Sequence, residues 1–128
     1  EYLASEGNSN VVFCLRGMKS EGGAPHRNMV DFGQVPVIKR LTRMPVCVDP
    51  SHSVGSRDRS PDGILDVVHA AAQGLIAGAN LVLVDFHPGP AVALVDGPQA
   101  LLMDELPRFL DDMAQCHEFY QSRKRIWV

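Results

Sequence analysis

Three short, valine-rich apolar runs set the strongest limit on what this chain can fold into. They occupy residues 11–15, 45–48 and 81–84, and each is apolar at successive positions rather than at alternate ones. This pattern is typical of strands that are buried on both faces of a parallel sheet. Because parallel strands require crossover connections of about a dozen residues or more, usually helical, the runs predict an α/β chain.

Amphipathic segments between the runs supply the helices. The clearest covers residues 62–77, where apolar residues recur at helical spacing and Gly78 follows as a stop signal. A shorter helix is predicted at residues 35–41, and a last one at residues 104–122 with Asp104 as a candidate N-cap.

The spacing of these units favours part of a barrel. Strand ends near Arg16, Asp49 and Asp85 recur at about 35 residues, close to the roughly 31 residues that each unit of a (β/α)8 barrel takes. An open doubly wound sheet is the alternative. No GxGxxG sequence follows any of the runs, so dinucleotide binding has no support.

Composition excludes several classes of partner. The net charge is −3 with scattered Lys and Arg, so nucleic acid is not expected. No apolar run is long enough to span a membrane, and no signal peptide is visible. The three cysteines, Cys14, Cys47 and Cys116, form no CxxC pair. They suit reduced thiols, which predicts a cytoplasmic protein.

Polar residues follow each apolar run, at the strand ends where barrel enzymes place their active sites. A histidine and two carboxylates from different strands are a ligand set for Mn²⁺, Fe²⁺ or Zn²⁺ rather than Ca²⁺. Nearby arginines and lysines would bind phosphate or carboxylate groups. The histidines and carboxylates at these ends are Asp49, His52, Asp85, His87 and Asp96, and the candidate anion-binding residues are Arg16, Lys19, Arg27 and Arg57.

Each candidate also has a structural interpretation. His52 could be a surface or structural histidine, and Asp49-Pro50 could simply end a strand. Asp96 precedes Gly97-Pro98, which is a good turn signal. His87-Pro88-Gly89-Pro90 has the sequence of a rigid turn. From the residues alone these alternatives stay open.

Five segments, in order along the chain, resemble the superfamily of 3-deoxy-heptulosonate 7-phosphate (DAHP) synthases and 3-deoxy-octulosonate 8-phosphate synthases. The likeness is to the smaller, type I-beta group, and it extends over nearly the whole chain. The family patterns are C-E-R-G, R-N-x-x-D-x-x-x-V-P-V, D-P-S-H, E-V-H-P and A-L-S-D-G-x-Q. The matching segments begin at Cys14, Arg27, Asp49, Asp85 and Ala93.

This resemblance implies a (β/α)8 barrel of which residues 1–128 are one part: the end of the fifth helix and units six to eight. It implies an aldol-type condensation of phosphoenolpyruvate with erythrose 4-phosphate. His52, Asp85 and Asp96 would hold a divalent metal, with Asp49 and His52 as catalytic residues. Arg16 would bind phosphoenolpyruvate, and Arg27 would lie on the phosphosugar side. The remainder of the barrel and a homo-oligomeric assembly are expected partners.

The chain also departs from the family pattern. Leu15 replaces the glutamate of C-E-R-G, and Asp85 replaces a glutamate ligand that is one methylene longer. Two alternatives therefore remain: a related synthase with another acceptor, such as arabinose 5-phosphate or an N-acylmannosamine, or a non-catalytic barrel fragment or subunit. Asp49-Pro50-Ser51-His52 favours the heptulosonate branch, whereas Val30-Asp31-Phe32 is closer to the octulosonate branch.

Overall fold

The computed structural model describes all of residues 1–128 as an α/β chain. Its helices are α1 (Tyr2–Ser5), α2 (Val35–Thr42), α3 (Pro50–Val54), α4 (Asp66–Ile76) and α5 (Leu106–Trp127). Its strands are β1 (Phe13–Leu15), β2 (Val46–Val48), β3 (Leu81–Val82), β4 (Phe86–His87) and β5 (Leu101–Leu102). None of the helices combines the length and apolar character needed to cross a membrane.

The predicted parallel sheet is present. Strands β1, β2 and β3 lie in that order and pair in parallel, with Cys14 opposite Cys47 and Cys47 opposite Leu81. Pairing continues past β3, because the Leu83 N–H donates to the Val48 carbonyl at 2.9 Å. Strands β4 and β5 form a second parallel pair, which the sequence did not predict.

Helix α4 is packed tightly against the sheet through one glycine. A Cβ atom at Gly74 would lie 2.5 Å from Cγ2 of Val48, so only glycine lets the helix approach this closely. The core between helices and sheet contains Val46, Val48, Val67 and Leu75, all at most 7% exposed.

The opposite face of the sheet is open. Cys14 is exposed, and Leu81 and Leu83 are 46% and 44% exposed, although all three belong to the apolar runs that predict burial on both faces. Since strands of a parallel sheet are normally covered on both sides, this face lacks the cover on one side that such strands usually have.

Two helix starts differ from prediction. Helix α4 begins at Asp66 rather than at residue 62, because Asp62 accepts the Ile64 N–H in a turn and Gly63 has a φ of 86°. Asp104 is not an N-cap. It lies within the 3₁₀ turn Met103–Glu105 that precedes α5, and the Leu102 N–H there is accepted by Glu105.

Candidate metal and anion site

His52 is held in place by the turn that follows β2. Asp49 caps helix α3, and its Oδ1 accepts the His52 backbone N–H at 3.1 Å. The same carboxylate lies against the imidazole, with Nδ1 of His52 2.8 Å from Oδ2 of Asp49. An ionised carboxylate there favours the proton on Nδ1, which leaves the lone pair of Nε2 available to a metal.

Asp49 also contacts Arg16, which directly follows strand β1. Nε of Arg16 forms an ion pair with Oδ2 of Asp49 at 3.1 Å, while the Asp49 side chain is 3% exposed and that of Arg16 is 56% exposed. Asp49 is therefore a buried carboxylate shared between an imidazole and a guanidinium. The terminal nitrogens of Arg16 remain to donate to an anion, which is the role that the sequence predicts for Arg16.

The three predicted metal ligands lie together. Nε2 of His52 is 3.5 Å from Oδ1 of Asp96 and 3.8 Å from Oδ2 of Asp85. One ligand atom from each of the three residues falls within 4.8 Å of the others. Two Asp85 hydrogen bonds set its place: its N–H donates to the buried hydroxyl of Ser51, and its carbonyl accepts the Leu101 N–H.

This arrangement fits a divalent cation. Bonds to nitrogen or oxygen ligands are about 2.0–2.2 Å long, so ligand atoms around a tetrahedral ion lie roughly 3.4 Å apart. The separations from Nε2 of His52 are close to that value. One imidazole and two carboxylates suit Mn²⁺, Fe²⁺ or Zn²⁺. A cavity of about 300 Å³ lies beside Asp85 and Asp96, with His87 in its wall.

Asp96 is both a turn residue and a member of the cluster. Its φ of 56° places it in the left-handed region, directly before the 3₁₀ turn Gly97–Gln99. The hydrogen bond from Gln99, followed by interactions with His52 and with the positive charge of Arg27, holds the pKa of Asp96 below its usual value. The turn interpretation and the ligand interpretation of Asp96 are therefore compatible.

The structure gives Arg57 and Lys19 different surroundings. Arg57 donates two hydrogen bonds of 3.0 Å to the Glu105 carboxylate and one of 2.8 Å to the Ala100 carbonyl, so its guanidinium is held by protein groups, and anion binding by Arg57 stays a prediction. Lys19 is exposed on the loop after β1. Arg27 packs against Gly55. A Cβ atom added at Gly55 would lie 2.6 Å from the Cβ atom of Arg27.

Two further residues of the site were missed by sequence reasoning. Gln99, which is 3% exposed, donates from Nε2 to Oδ1 of Asp96 at 2.8 Å and lies 3.3 Å from Oδ2 of Asp85. Asn28 donates to the carbonyls of His52 and Arg16, at 2.9 and 3.3 Å. Both residues stood within the quoted family patterns, which was the one signal that could have found them.

The chain is similar to a known protein family. The family model described as "DAHP synthetase I family" matches residues 1–122. The chain belongs to the DAHP synthetase I family. This membership confirms the likeness that the five sequence segments indicated.

Named relatives of this family fall into two groups. The phospho-2-dehydro-3-deoxyheptonate aldolase of Thermotoga maritima is 34% identical over 113 residues, which are 88% of this chain and 31% of the relative. The 2-dehydro-3-deoxyphosphooctonate aldolase of Aliivibrio fischeri is 31% identical over 125 residues, which are 94% of this chain and 43% of the relative. The chain thus spans less than half the length of these curated relatives.

A solved structure of the family has the same backbone arrangement. The crystal structure of the Thermotoga maritima DAHP synthase superposes with a TM-score of 0.80 at 32% identity. The match covers 92% of this chain and 32% of the Thermotoga chain. The α/β fold with parallel strands is therefore that of part of a DAHP synthase.

Proposed function

We propose that this chain is the metal-binding part of a synthase that condenses phosphoenolpyruvate with erythrose 4-phosphate to give DAHP and phosphate. The observation that carries the proposal is the convergence of His52, Asp85 and Asp96 beside the Arg16–Asp49 pair. The ligands follow β2, β3 and β4, and the arginine follows β1, as in the active sites of barrel enzymes.

The proposal assigns residues 1–128 to one partial barrel domain, the end of the fifth helix and units six to eight. The open face of the sheet supports this assignment, because Cys14, Leu81 and Leu83 are exposed where the interior of a closed barrel would be. The limited coverage of the relatives supports it too. Assembly into a homo-oligomer stays a prediction.

In the proposed reaction, the enol carbon of phosphoenolpyruvate forms a bond to the aldehyde carbon. Water adds to the former enol carbon, and phosphate leaves as its bond to that carbon breaks. Arg16 would hold phosphoenolpyruvate, and Arg27 would face the phosphosugar. A bound divalent cation would polarise the aldehyde oxygen or position the water. Holding two anions in the reactive geometry can supply roughly 7–11 kcal/mol of the barrier reduction.

Asp49 and His52 are the residues that we propose as catalytic. Asp49 keeps the imidazole in one orientation through its contacts with Nδ1 and with the backbone N–H. Because Asp49 also binds Nε of Arg16, a single buried carboxylate sets the distance between the anion-binding arginine and the metal-binding histidine.

A second acceptor is supported by the comparisons. Several relatives are named 2-dehydro-3-deoxyphosphooctonate aldolase, at 31–34% identity. The related reaction would use arabinose 5-phosphate instead of erythrose 4-phosphate. We place erythrose 4-phosphate first because of the Asp49-Pro50-Ser51-His52 segment.

The test is phosphate release by the complete protein that carries this chain. Metal-depleted protein should regain activity on addition of Mn²⁺, Fe²⁺ or Zn²⁺, with phosphoenolpyruvate and erythrose 4-phosphate as substrates. Arabinose 5-phosphate and an N-acylmannosamine are assayed in parallel. A preference for either of those sugars would identify it as the acceptor in place of erythrose 4-phosphate. No phosphate release with any of the three would contradict an enzymatic function.

A matched pair of histidine variants controls for general damage. His52→Ala should abolish metal-dependent turnover because it removes a ligand. His117→Ala should leave turnover unchanged, because His117 is exposed on α5 and its one side-chain hydrogen bond is with Gln121. Full activity of metal-stripped His52→Ala protein would exclude the ligand role.

A further inference from the structure

The carboxylates of Asp85 and Asp96 lie close together, and the side chain between them is Gln99. Ligand oxygens of the two aspartates fall within 4.8 Å of each other. Like charges at that separation repel each other, and the repulsion is strongest when no cation lies between them. A group of the protein must therefore hold the two carboxylates together if the cluster is to exist before a metal binds.

The Gln99 amide is placed to do this. Its Nε2 lies 2.8 Å from Oδ1 of Asp96 and 3.3 Å from Oδ2 of Asp85. These are the same two oxygens that lie nearest to Nε2 of His52. A glutamine NH₂ group carries two hydrogens, so it can donate one to each carboxylate. The reverse orientation of the amide would place its carbonyl oxygen against two anions.

The position of Gln99 is fixed by its surroundings. It ends the 3₁₀ turn that follows Asp96, and it is 3% exposed. A buried donor of this kind cannot exchange its partners for water without a cost. The amide is therefore placed to hold the two oxygens on one side of His52 before an ion binds.

Asp85 depends on such support. Its side chain is one methylene shorter than the glutamate of the family pattern, and its oxygen is the more distant of the two from His52, at 3.8 Å. The bond from Gln99 draws this shorter carboxylate toward the cluster.

We propose that Gln99 is a positioning residue that pre-assembles the Asp85–Asp96 half of the metal site. It acts through the two carboxylates and does not itself contact the ion. The inference rests on the proposed function, since it presupposes that His52, Asp85 and Asp96 bind a divalent cation. Residues that orient metal ligands typically change metal affinity by about 10–100-fold when they are replaced.

The experiment is titration of the complete protein with Mn²⁺, with free and bound ion followed by electron paramagnetic resonance. Gln99→Met keeps the length of the side chain and removes both donors. Its Mn²⁺ dissociation constant should rise about 10–100-fold, and the spectrum of the bound ion should broaden as ligand geometry becomes less uniform. Gln115 is exposed on α5, so Gln115→Met is the matched control and should bind Mn²⁺ with the affinity and spectrum of the parent.

The outcomes separate the two claims. An unchanged dissociation constant and spectrum in folded Gln99→Met protein would overturn the positioning role. If the parent protein itself binds no Mn²⁺, the proposed function fails instead. Should Gln99→Met not fold, Gln99→Asn keeps a buried amide that is too short to reach both aspartates. It should weaken Mn²⁺ binding as well, and parental affinity in that variant would equally overturn the inference.

Discussion

At the scale of single residues, Asp85 is the ligand whose reach is most limited. Its nearer oxygen is 3.8 Å from Nε2 of His52, compared with 3.5 Å for Asp96. Its backbone is anchored at both polar groups, by Ser51 and by Leu101, so the carboxylate cannot gain reach by a shift of the strand end.

Two substitutions at Asp85 separate charge from reach. Asp85→Asn removes the negative charge and should weaken Mn²⁺ binding by at least roughly tenfold, because a neutral amide oxygen is a poorer ligand. Asp85→Glu keeps the charge and restores the longer side chain, so its affinity should stay within about tenfold of the parent. Calorimetric titration of the complete protein measures both. Equal affinities for the Asn variant and the parent would exclude Asp85 as a ligand.

Residue types at strand ends predicted a metal and anion site at this edge, because parallel strands bring their carboxyl ends together. The family resemblance then indicated which three residues would be the ligands. The positions of His52, Asp85 and Asp96 fit that expectation. The environment of Arg57 could not be predicted in this way. Its partner Glu105 lies far along the chain, and a pattern of charges does not show which carboxylate a long side chain will reach.

At the scale of elements, the Arg57–Glu105 ion pair fixes the start of α5 to the loop after α3. The Arg57 guanidinium holds the pKa of Glu105 below its usual value near 4.5, with a further contribution from the Leu102 N–H. A lowered folded-state pKa means that the pair stabilises the fold fully above the unfolded-state pKa. The stabilisation is lost as the pH falls through the folded-state value.

Glu105→Gln should therefore lower the free energy of unfolding by about 1–3 kcal/mol at neutral pH, the range for hydrogen bonds to charged groups. The difference between variant and parent should shrink as the pH falls from neutrality to below the usual glutamate pKa near 4.5. Urea unfolding of the complete protein across this range measures it. A difference that is constant with pH would show that ionised Glu105 is not its source.

The contact between Gly74 and Val48 gives a second prediction at this scale. Gly74→Ala should lower the free energy of unfolding, because overpacking of the core costs about 1–3 kcal/mol. The roughly 1 kcal/mol by which alanine favours a helix over glycine offsets only part of this cost. In a Val48→Ala background the same change should become neutral or stabilising, because most of the clash is removed. Gly33→Ala is the control, since its nearest atom would be 3.9 Å away. Additive effects of the two substitutions would contradict this close packing.

Element types were predictable from periodicity, while element ends were not. The runs at residues 45–48 and 81–84 do contain β2 and β3, and helices follow the first two strands of the main sheet. Helix α4 starts later than predicted because a local turn at Asp62 competes with the helix. Strands β4 and β5 are two residues each, too short to show any periodicity.

At the scale of the whole molecule, the open sheet face separates the behaviour of this chain from that of a complete barrel. Leu83 is 44% exposed here, and in the proposed barrel it would face the interior. Apolar surface of this kind promotes association when nothing covers it.

Leu83→Asp should consequently have opposite effects in two contexts. It should reduce self-association of residues 1–128 alone, and it should destabilise the complete protein by several kcal/mol because a charge would be buried. Leu41→Asp, at an exposed position on α2, should not destabilise the complete protein. Analytical ultracentrifugation and thermal unfolding measure the two effects. A complete protein that tolerates Leu83→Asp would show that this face is not enclosed.

The account depends most on the claim that one divalent cation binds between His52, Asp85 and Asp96. Anomalous diffraction from Mn²⁺-soaked crystals of the complete protein tests this claim directly. We predict a single strong peak about 2.0–2.3 Å from Nε2 of His52 and from one carboxylate oxygen of each aspartate. A peak bound elsewhere, or none near Nε2 of His52 at saturating Mn²⁺, would contradict it.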